Sequence, residues 1–222
     1  MAVISLVSPK GGVGKTTTSA VLATTLAERG AKVAIVDADP NQPIVRWSNK
    51  PNLPENITIY ANGNQNNILE LIAEASAANQ FVVVDLEGTA SLTVAYAVGV
   101  ADLVIIPSQA SSLDSDQATK ALKVIRDHKN MTGKLVPHRV LLTRTPAAIR
   151  STNLRQLERE LEAGGIPTFK TQLVEREAFK VMFTLGGSLQ RLAPKSVSGI
   201  DRAIENATAL TAEVVAALKG QG

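Results

Sequence analysis

The chain has 222 residues, of which 45% are hydrophobic and 19% are charged, with a formal net charge of +3. That length and hydrophobic content suffice for one large α/β domain with a substantial core. The sequence contains no cysteine, which excludes disulfides, cysteine-ligated zinc and iron–sulfur clusters, and its two histidines are too few for a histidine-rich metal site.

Short apolar runs rich in β-branched residues alternate with helical patterns along the chain. The runs predict buried strands at 3–7, 32–37, 81–85, 103–107 and 139–143. The helical patterns cover 16–29, 67–78, 113–128, 152–163 and roughly 199–219. Because strands without polar alternation are buried on both faces, the pattern predicts a doubly wound α/β fold, with a mostly parallel sheet flanked by helices. We expect a single domain over residues 1–222.

The first apolar run, residues 2–7, is too short for a signal-peptide core and far too short to span a bilayer. We therefore expect a cytoplasmic protein without membrane attachment. Charge is unevenly placed: residues 1–100 carry six Lys/Arg against eight Asp/Glu, and residues 101–222 carry seventeen against twelve. The basic excess favours an anionic partner, nucleic acid first, although a solvated, charge-mixed surface is the other interpretation.

The segment PKGGVGKTT, residues 9–17, joins the first strand to the first helix, which is the context of a phosphate-binding loop (P-loop). Its glycines allow successive N–H groups to point at phosphates, and the helix amino terminus adds partial positive charge. We expect Lys15 to reach the β- and γ-phosphates of ATP and the Thr16 hydroxyl to bind Mg²⁺. The predicted nucleotide-binding residues of the loop are Lys10, Gly11, Gly12, Val13, Gly14, Lys15, Thr16 and Thr17.

The loop departs from the standard pattern, because Pro9 stands where the first glycine is usual and Lys10 follows it. KGGVGKTTT resembles the deviant P-loop of the ParA/MinD ATPases, in which a signature lysine precedes the glycines. The resemblance implies that Lys10 reaches across a homodimer interface to the phosphates of the partner's nucleotide, with two ATP molecules sandwiched between two subunits. A cation there would stabilise charge during phosphoryl transfer. By the same resemblance, catalysis rests on Lys10, Lys15 and Asp39.

Two further motifs place carboxylates at strand ends. VDADPNQPIVRW, residues 36–47, matches the D-x-D-P element of this family, which implies that Asp39 lies next to the attacking water and Mg²⁺, with Asp37 supporting the site. FVVVDLEG, residues 81–88, resembles a Walker B strand, so Asp85 is expected to hold Mg²⁺ through a water. The carboxyl ends of parallel strands meet at the ligand crevice of such a sheet. Many family members continue with Thr-Pro where this chain has LEG, so the geometry of that segment is an open question.

The second half of the chain resembles the compact plasmid-partition ParA proteins and their T-DNA-transfer relatives. LLTRTP, residues 141–146, stands where the family often has Asn-Arg near the base, which implies base contacts by Thr143 and Arg144. VEREAF, residues 174–179, matches a segment implicated in DNA binding, so Arg176 and Lys180 are the preferred DNA-binding pair. The full set of DNA-binding candidates is Arg144, Arg150, Arg155, Arg159, Arg176, Lys180 and Arg191.

Two of these candidates, Arg155 and Arg159, share a predicted helix face with Glu158 and Glu162, which leaves internal ion pairing as an alternative. The alanine-rich tail ATALTAEVVAALKGQG has an apolar stripe but no aromatic residue, so a core-packing helix is favoured over a membrane-targeting helix of the MinD type. No DNA-reading helix-turn-helix precedes the loop, as expected for the compact branch.

These features predict a DNA-partition ATPase. It would bind MgATP, form a sandwich dimer, bind nucleoid DNA non-specifically in the ATP state, and hydrolyse ATP slowly until stimulated by a ParB-like centromere-binding partner. Alternatives are a T-DNA-transfer or conjugation ATPase of the same branch and a ParA-like positioning ATPase for a protein cargo. A small-molecule ligase related to dethiobiotin synthetase shares the fold, but the signature lysine argues against it.

Overall fold

A computed structural model describes residues 1–88, 91–109, 112–147, 152–192 and 197–220, and of residues 112–117 only the backbone. Seven parallel strands form one sheet in the order β3-β2-β4-β1-β5-β6-β7. The strands are β1 Ala2–Leu6, β2 Val33–Ala38, β3 Ile57–Tyr60, β4 Phe81–Leu86, β5 Leu103–Ser108, β6 His138–Thr145 and β7 Leu173–Val174. The helices are α1 Lys15–Ala27, α2 Pro43–Ser48, α3 Ile68–Ala78, α4 Leu92–Gly99, α5 Ser112–Thr132, α6 Thr152–Ala163, α7 Glu177–Leu185 and α8 Ile200–Leu218, with a short 3₁₀ helix at Leu189–Arg191.

The sheet separates two apolar clusters, one on each face. Side chains alternate along each strand, so that Ile4 of β1 belongs to one cluster and Val3 to the other. Helices α1, α2, α7 and α8 cover the first face, and α3, α4, α5 and α6 cover the second. Central strands are therefore buried on both sides, as the uninterrupted apolar runs predict.

The predicted doubly wound fold is confirmed, and all five predicted strands and five predicted helices are present. The sequence patterns missed the short elements β3, β7, α2 and α4. Each has two to eight residues, which is too short to show a hydrophobic period. Two of them, α2 and β7, contribute to the site described below.

The carboxy-terminal helix packs into the core. In α8, Leu210 and Val214 are fully buried, and Val215 and Leu218 pack partly buried against the same cluster. The prediction of a core-packing helix is therefore confirmed. Within the described ranges, none of the helices combines the length and the hydrophobicity that a bilayer span requires.

Candidate nucleotide-binding site

The loop between β1 and α1 has the backbone geometry of an anion site. Gly12 and Gly14 have φ of 77° and 94°, a left-handed conformation that favours glycine. Helix α1 begins at Lys15, and no side chain caps its amino terminus. The first N–H groups of the helix are thus left for an anion, which the helix dipole also favours. Val13 is buried, so only its backbone is available to a ligand in the loop.

The side chain of Lys15 is buried and hydrogen-bonded to the backbone of the loop. Its side chain is 6% exposed, and its Nζ donates hydrogen bonds to the carbonyl oxygens of Ser8 at 3.2 Å and Lys10 at 3.0 Å. Burial lowers the pKa of Lys15, while the carboxylates of Asp85, Asp39 and Glu87 act in the opposite direction. The ammonium group therefore lies among carboxylates from two strand ends, where it can exchange its carbonyl partners for phosphate oxygens.

Asp85, at the end of β4, is fully buried. Its Oδ1 accepts a hydrogen bond from Ser19 Oγ at 3.1 Å, and its Oδ2 has no hydrogen-bond partner within the described part of the chain. Burial raises the pKa of Asp85 to about 7, against the lowering effect of the Thr16 and Ser19 hydroxyls. A buried carboxylate oxygen without a donor, beside the Thr16 hydroxyl, fits a divalent cation with a preference for oxygen ligands, such as Mg²⁺.

The protein itself offers few ligands for such a cation. Among the described residues, no group of three or more histidines and carboxylates is placed to hold a metal ion. Mg²⁺ at Asp85 and Thr16 would therefore depend on phosphate and water oxygens for its remaining ligands. This dependence is usual for Mg²⁺ in nucleotide sites.

Asp37 organises the segment that follows β2. Its Oδ2 accepts hydrogen bonds from the N–H groups of Ile44 at 3.0 Å and Val45 at 3.1 Å, in the first turn of α2. Its Oδ1 accepts from the N–H of Asp39 at 3.2 Å. Burial raises the pKa of Asp37, and these three backbone N–H groups lower it. Asp37 is thus a capping residue that positions Asp39.

Asp39 is partly exposed in the crevice. Its Oδ1 accepts hydrogen bonds from the backbone N–H of Asn41 at 2.8 Å and from Asn41 Nδ2 at 3.0 Å. These bonds orient the carboxylate, and its charge acts to raise the pKa of Lys15, as expected for two groups that lie near each other. The structure therefore brings together Lys15, Thr16, Asp39 and Asp85 beside the loop.

The segment after β4 lies directly against the loop. A Cβ atom at Gly88 would come within 3.0 Å of the Gly11 nitrogen and 3.2 Å of the Lys10 carbonyl carbon. The LEG segment thus brings its backbone so close to the loop that a larger residue at position 88 would displace the loop by a few tenths of an ångström. Glu87, which sequence reasoning passed over, contributes its charge near Lys15.

Thr143 lies beneath the loop. It is buried, and its hydroxyl is within hydrogen-bond distance of the carbonyl oxygens of Val13 at 2.7 Å and Ser108 at 3.2 Å. Its side chain would be 3.6 Å from a Cβ at Gly14. A hydroxyl donates only one hydrogen, and here it is used by the loop backbone. Thr143 therefore supports the loop, and this geometry does not favour the predicted base contact.

Gln109 is a second support that sequence reasoning missed. Its Nε2 donates to the Gly12 carbonyl oxygen at 2.8 Å. The signal that could have found it is its place directly after β5, next to β1 in the sheet, at the edge where strand ends meet.

A cavity of about 370 Å³ opens beside the loop. Gly14 at the end of the loop, Thr17 of α1, and Thr143 and Arg144 at the end of β6 line it. The rest of its lining consists of residues 173–176 and, from α7, Phe179, Lys180 and Phe183. The cavity therefore joins the phosphate loop to an apolar wall, which suits a nucleoside.

Arg144 occupies a bulge at this cavity. Thr143 pairs with Leu173 and Thr145 with Val174, which leaves Arg144 as the extra residue of β6. Its φ of 50° is unusual for a residue with a side chain. The bulge keeps Arg144 exposed at the cavity, so the predicted proximity to the nucleotide site is consistent with the geometry.

The DNA-binding candidates do not form one continuous patch. Arg155 and Arg159 are exposed on α6, which covers one face of the sheet, whereas α7 with Lys180 covers the other. Lys180 pairs with Glu175 at 3.8 Å and Glu177 at 3.4 Å.

Two further candidates stand apart from these. Arg191 Nε donates to Glu28 Oε1 at 2.8 Å, in a contact that ties the 3₁₀ helix to the end of α1. Arg150 lies outside the described residues.

Known proteins are similar to this chain in sequence and in fold. A family model described as "VirC1 protein" matches residues 1–219. The Protein ParA of Rhizobium radiobacter is 36% identical over 94% of this chain and 94% of its own length, and the Protein virC1 of the same species is 28% identical over 82% and 80%. A structure of a Cyanothece McdA variant in complex with ATP has a TM-score of 0.80 at 18% identity, over 97% of this chain and 96% of that one.

The structural likeness shows the fold, and the family model extends over the loop, the strand-end carboxylates and the region of α6 to α8. The chain accordingly belongs to the VirC1/ParA family, among the P-loop ATPases of the ParA/MinD type.

Proposed function

We propose that this chain is a DNA-partition ATPase that binds MgATP, forms a nucleotide-sandwich homodimer and binds DNA without sequence preference in the ATP state. In this proposal a ParB-like partner accelerates a slow intrinsic hydrolysis and thereby releases the dimer from DNA. The observation that best supports nucleotide binding is the amino terminus of α1, which no side chain caps. It follows a glycine loop whose backbone carbonyls are hydrogen-bonded to Lys15 Nζ. The family membership and the 36% identity to a protein named ParA support the partition part.

Each residue of the site has a role in this proposal. The N–H groups of residues 11–17 bind the phosphates, and Lys15 leaves its carbonyl partners to reach the β- and γ-phosphates. Thr16 and Asp85 would hold Mg²⁺, which would supply positive charge beside the phosphates. Asp39, oriented by Asn41 and Asp37, positions the attacking water.

Lys10 is assigned to the dimer. It stands at the start of the loop, and its carbonyl already accepts a hydrogen bond from Lys15 Nζ. Its side chain is partly exposed, so it is accessible to a second copy that approaches the loop face. A lysine from each subunit placed on the other subunit's phosphates would make hydrolysis depend on dimer formation.

DNA binding is assigned to the exposed basic side chains of α6 and α7. Arg155 and Arg159 present their charges to solvent. The two ion pairs of Lys180 are exposed, with 62% of its side chain accessible, so they contribute little and can be exchanged for phosphate contacts. Arg191 takes a structural role through Glu28 in this proposal. Contacts to phosphates alone bind any sequence.

The test is DNA binding by the purified protein with ATP, ADP or no nucleotide, on two unrelated duplexes and at two salt concentrations. Tight binding to both duplexes with ATP only, weakened by salt, is expected. The double variant Arg155→Ala/Arg159→Ala should lose affinity for both duplexes equally. Arg29→Ala, which removes an exposed cation at the far end of α1, is the matched control.

The other outcomes separate the alternatives. Selective binding to one duplex carrying a transfer-origin sequence would favour a T-DNA-transfer or conjugation ATPase, which membership of the VirC1 family makes the second candidate. An ATPase that binds neither duplex with any nucleotide would contradict the partition proposal and favour the positioning of a protein cargo.

A further inference from the structure

The turn that carries Asp39 is bonded to the loop that follows β3. Between β2 and α2 the chain turns at residues 39–42, where the Gln42 N–H donates to the Asp39 carbonyl oxygen at 2.8 Å. The side-chain amide of Gln42 donates a hydrogen bond through Nε2 to Asn62 Oδ1. Asn62 lies just beyond β3, the strand next to β2 in the sheet. The two loops therefore meet beside Asp39, at the carboxyl edge of the sheet.

Both partners of this hydrogen bond have a left-handed backbone. The φ angle is 47° at Gln42 and 61° at Asn62. Asparagine tolerates this conformation, whereas glutamine adopts it only at a cost in free energy. Gln42 precedes the first turn of α2, but its side chain makes no capping bond to that helix. The left-handed backbone thus directs the Gln42 amide to the second loop.

The loop after β3 is fixed in turn to the end of β2. The Gly63 N–H donates to the Asp37 carbonyl oxygen at 3.0 Å, and a Cβ at Gly63 would come within 2.9 Å of the Ala38 Cβ. The Asn62 carbonyl oxygen accepts from Asn64 Nδ2 at 3.0 Å. Asn62 is therefore an acceptor held in place relative to the strand that ends in Asp37 and Ala38.

The turn at Asp39 thus has a support at each end. The Asp39 N–H donates to Asp37 Oδ1 at 3.2 Å, and the bond from Gln42 to Asn62 holds the far end of the turn. A carboxylate that orients a water needs a defined direction, because a displacement of about 1 Å can lower a rate by roughly 100-fold. Among the described residues that line the cavity beside the phosphate loop, neither amide occurs. Loss of this bond should therefore affect hydrolysis rather than nucleotide affinity.

We infer that Gln42 and Asn62 form a positioning pair that sets the direction of the Asp39 carboxylate toward the attacking water. The inference rests on the proposed ATP hydrolysis and adds to it two residues to which the sequence patterns assign no role. Both residues act through Asp39 and not on the nucleotide itself.

The experiment measures ATP hydrolysis and ADP affinity for the variants Gln42→Gly and Asn62→Gly. Glycine accepts the left-handed backbone at both positions, so each variant removes only the side chain. Each should lower kcat about three- to tenfold, as expected for the loss of one hydrogen bond, with KM and ADP affinity within about twofold of wild type. The double variant should be no slower than the slower single variant, because both changes break the same bond.

Two further variants separate the hydrogen bond from the backbone. Asn62→Asp keeps an acceptor and tolerates the same backbone, so it should retain kcat within about twofold of wild type. Asn52→Gly is the matched control, because Asn52 also has a left-handed backbone, with φ of 69°, but follows the end of α2 that is remote from Asp39. It should hydrolyse ATP as wild type does.

Thermal unfolding checks that the variants are folded. Gln42→Asn, whose amide is one methylene shorter, serves as the second variant if a glycine variant is unfolded, and it should show the same loss of kcat. Wild-type kcat in both glycine variants would overturn the inference. So would a parallel loss of ADP affinity or of the ATP-dependent dimer, because either loss would give the pair a structural or an interface role.

Losses of kcat that multiply in the double variant would also overturn the inference, because they would reveal two independent effects. A wild-type protein that binds no ADP, or that binds ATP without hydrolysing it, would instead overturn the proposed function itself.

Discussion

Lys50 ends helix α7 from a distant part of the chain: its Nζ donates hydrogen bonds to the carbonyl oxygens of Phe183 at 2.6 Å and Thr184 at 3.0 Å. These carbonyls lie in the last turn of α7, where a cation also interacts favourably with the helix dipole. Lys50 follows α2 directly, and Trp47 of α2 contacts Phe183 with ring centroids 6.0 Å apart. Helices α2 and α7 are thus joined by one polar and one aromatic contact.

We expect Lys50→Met to lower the free energy of unfolding by about 1–2 kcal/mol, because two carbonyls lose a charged donor. Urea denaturation measures this change. Lys32→Met, which removes an exposed lysine directly before β2, is the control and should be close to neutral. Equal stability of the two variants would contradict a stabilising role for the Lys50 contacts.

Two glycines of equal conformation test how tightly the end of α7 packs. Gly187 has φ of 73°, and a Cβ there would lie 2.6 Å from the Asn52 carbonyl oxygen, whereas Gly133 has φ of 74° and open space around it. Gly133→Ala should cost about 1–2 kcal/mol for the left-handed backbone alone. Gly187→Ala should cost a further 1–3 kcal/mol, roughly, for the overlap. Similar unfolding free energies for both variants would show that the loop at Asn52 yields freely.

The raised pKa of Asp85 predicts how the free energy of unfolding depends on pH in the absence of nucleotide and metal. Its pKa is raised from 3.8 to about 7, so the folded protein keeps a proton that the unfolded chain has released over this range. Stability should therefore fall as pH rises from about 4 to 7, by up to about 4 kcal/mol at 1.36 kcal/mol per pKa unit. Urea denaturation at pH 5 and 7.5 measures the effect.

Asp85→Asn removes the titrating group, so this variant should be more stable than wild type at pH 7.5 and close to it at pH 5. Asp37, whose pKa burial also raises, contributes a slope in the same direction. Glu70→Gln, at an exposed position, is the control and should keep the wild-type slope. A slope that is unchanged in Asp85→Asn would contradict this origin of the pH dependence.

Variants of Lys10 and Lys15 should separate nucleotide binding from dimer formation. Lys15→Ala should abolish productive nucleotide binding, because the loop loses its buried cation. Lys10→Ala should retain binding by the monomer and lose the ATP-dependent dimer. Light scattering after size exclusion, with a slowly hydrolysed ATP analogue, measures the dimer. An ATP-dependent dimer of Lys10→Ala would refute the role assigned to Lys10.

The positions of the loop and of the strand-end carboxylates could be predicted from sequence because each depends on local order. PKGGVGKTT follows a buried strand and opens a helix, and Asp37 and Asp85 end apolar runs. Parallel strands place their carboxyl ends at the same edge of the sheet, so the loop and these two carboxylates are expected to lie close together. The roles of single residues depend on contacts across the sheet, which sequence order does not show. Thr143 illustrates this: its hydroxyl serves the loop backbone 130 residues away.

Arg176 and Arg191 show that the contacts of charged residues also cannot be predicted from sequence order. In sequence both are cations in a basic segment. In the structure Arg191 pairs with Glu28, whereas Arg176 lies in a cavity wall with a buried, unpartnered Nε in the described part of the chain. Composition counts charges but does not reveal which carboxylate each one meets. β7, which has only two residues, was likewise too short to recognise, yet it forms part of the cavity wall.

The hydrogen bonds of Asp37 have a consequence for motion. Asp37 holds Asp39 and the first turn of α2 with one carboxylate, and the chain just beyond α2 is bonded to the last turn of α7 through Lys50. One carboxylate and one lysine thus link the end of β2 to α7 through α2, and Phe179 of α7 lines the cavity beside the loop. If Asp39 changes position when a ligand binds, α2 and α7 are the elements through which that change would reach the cavity wall.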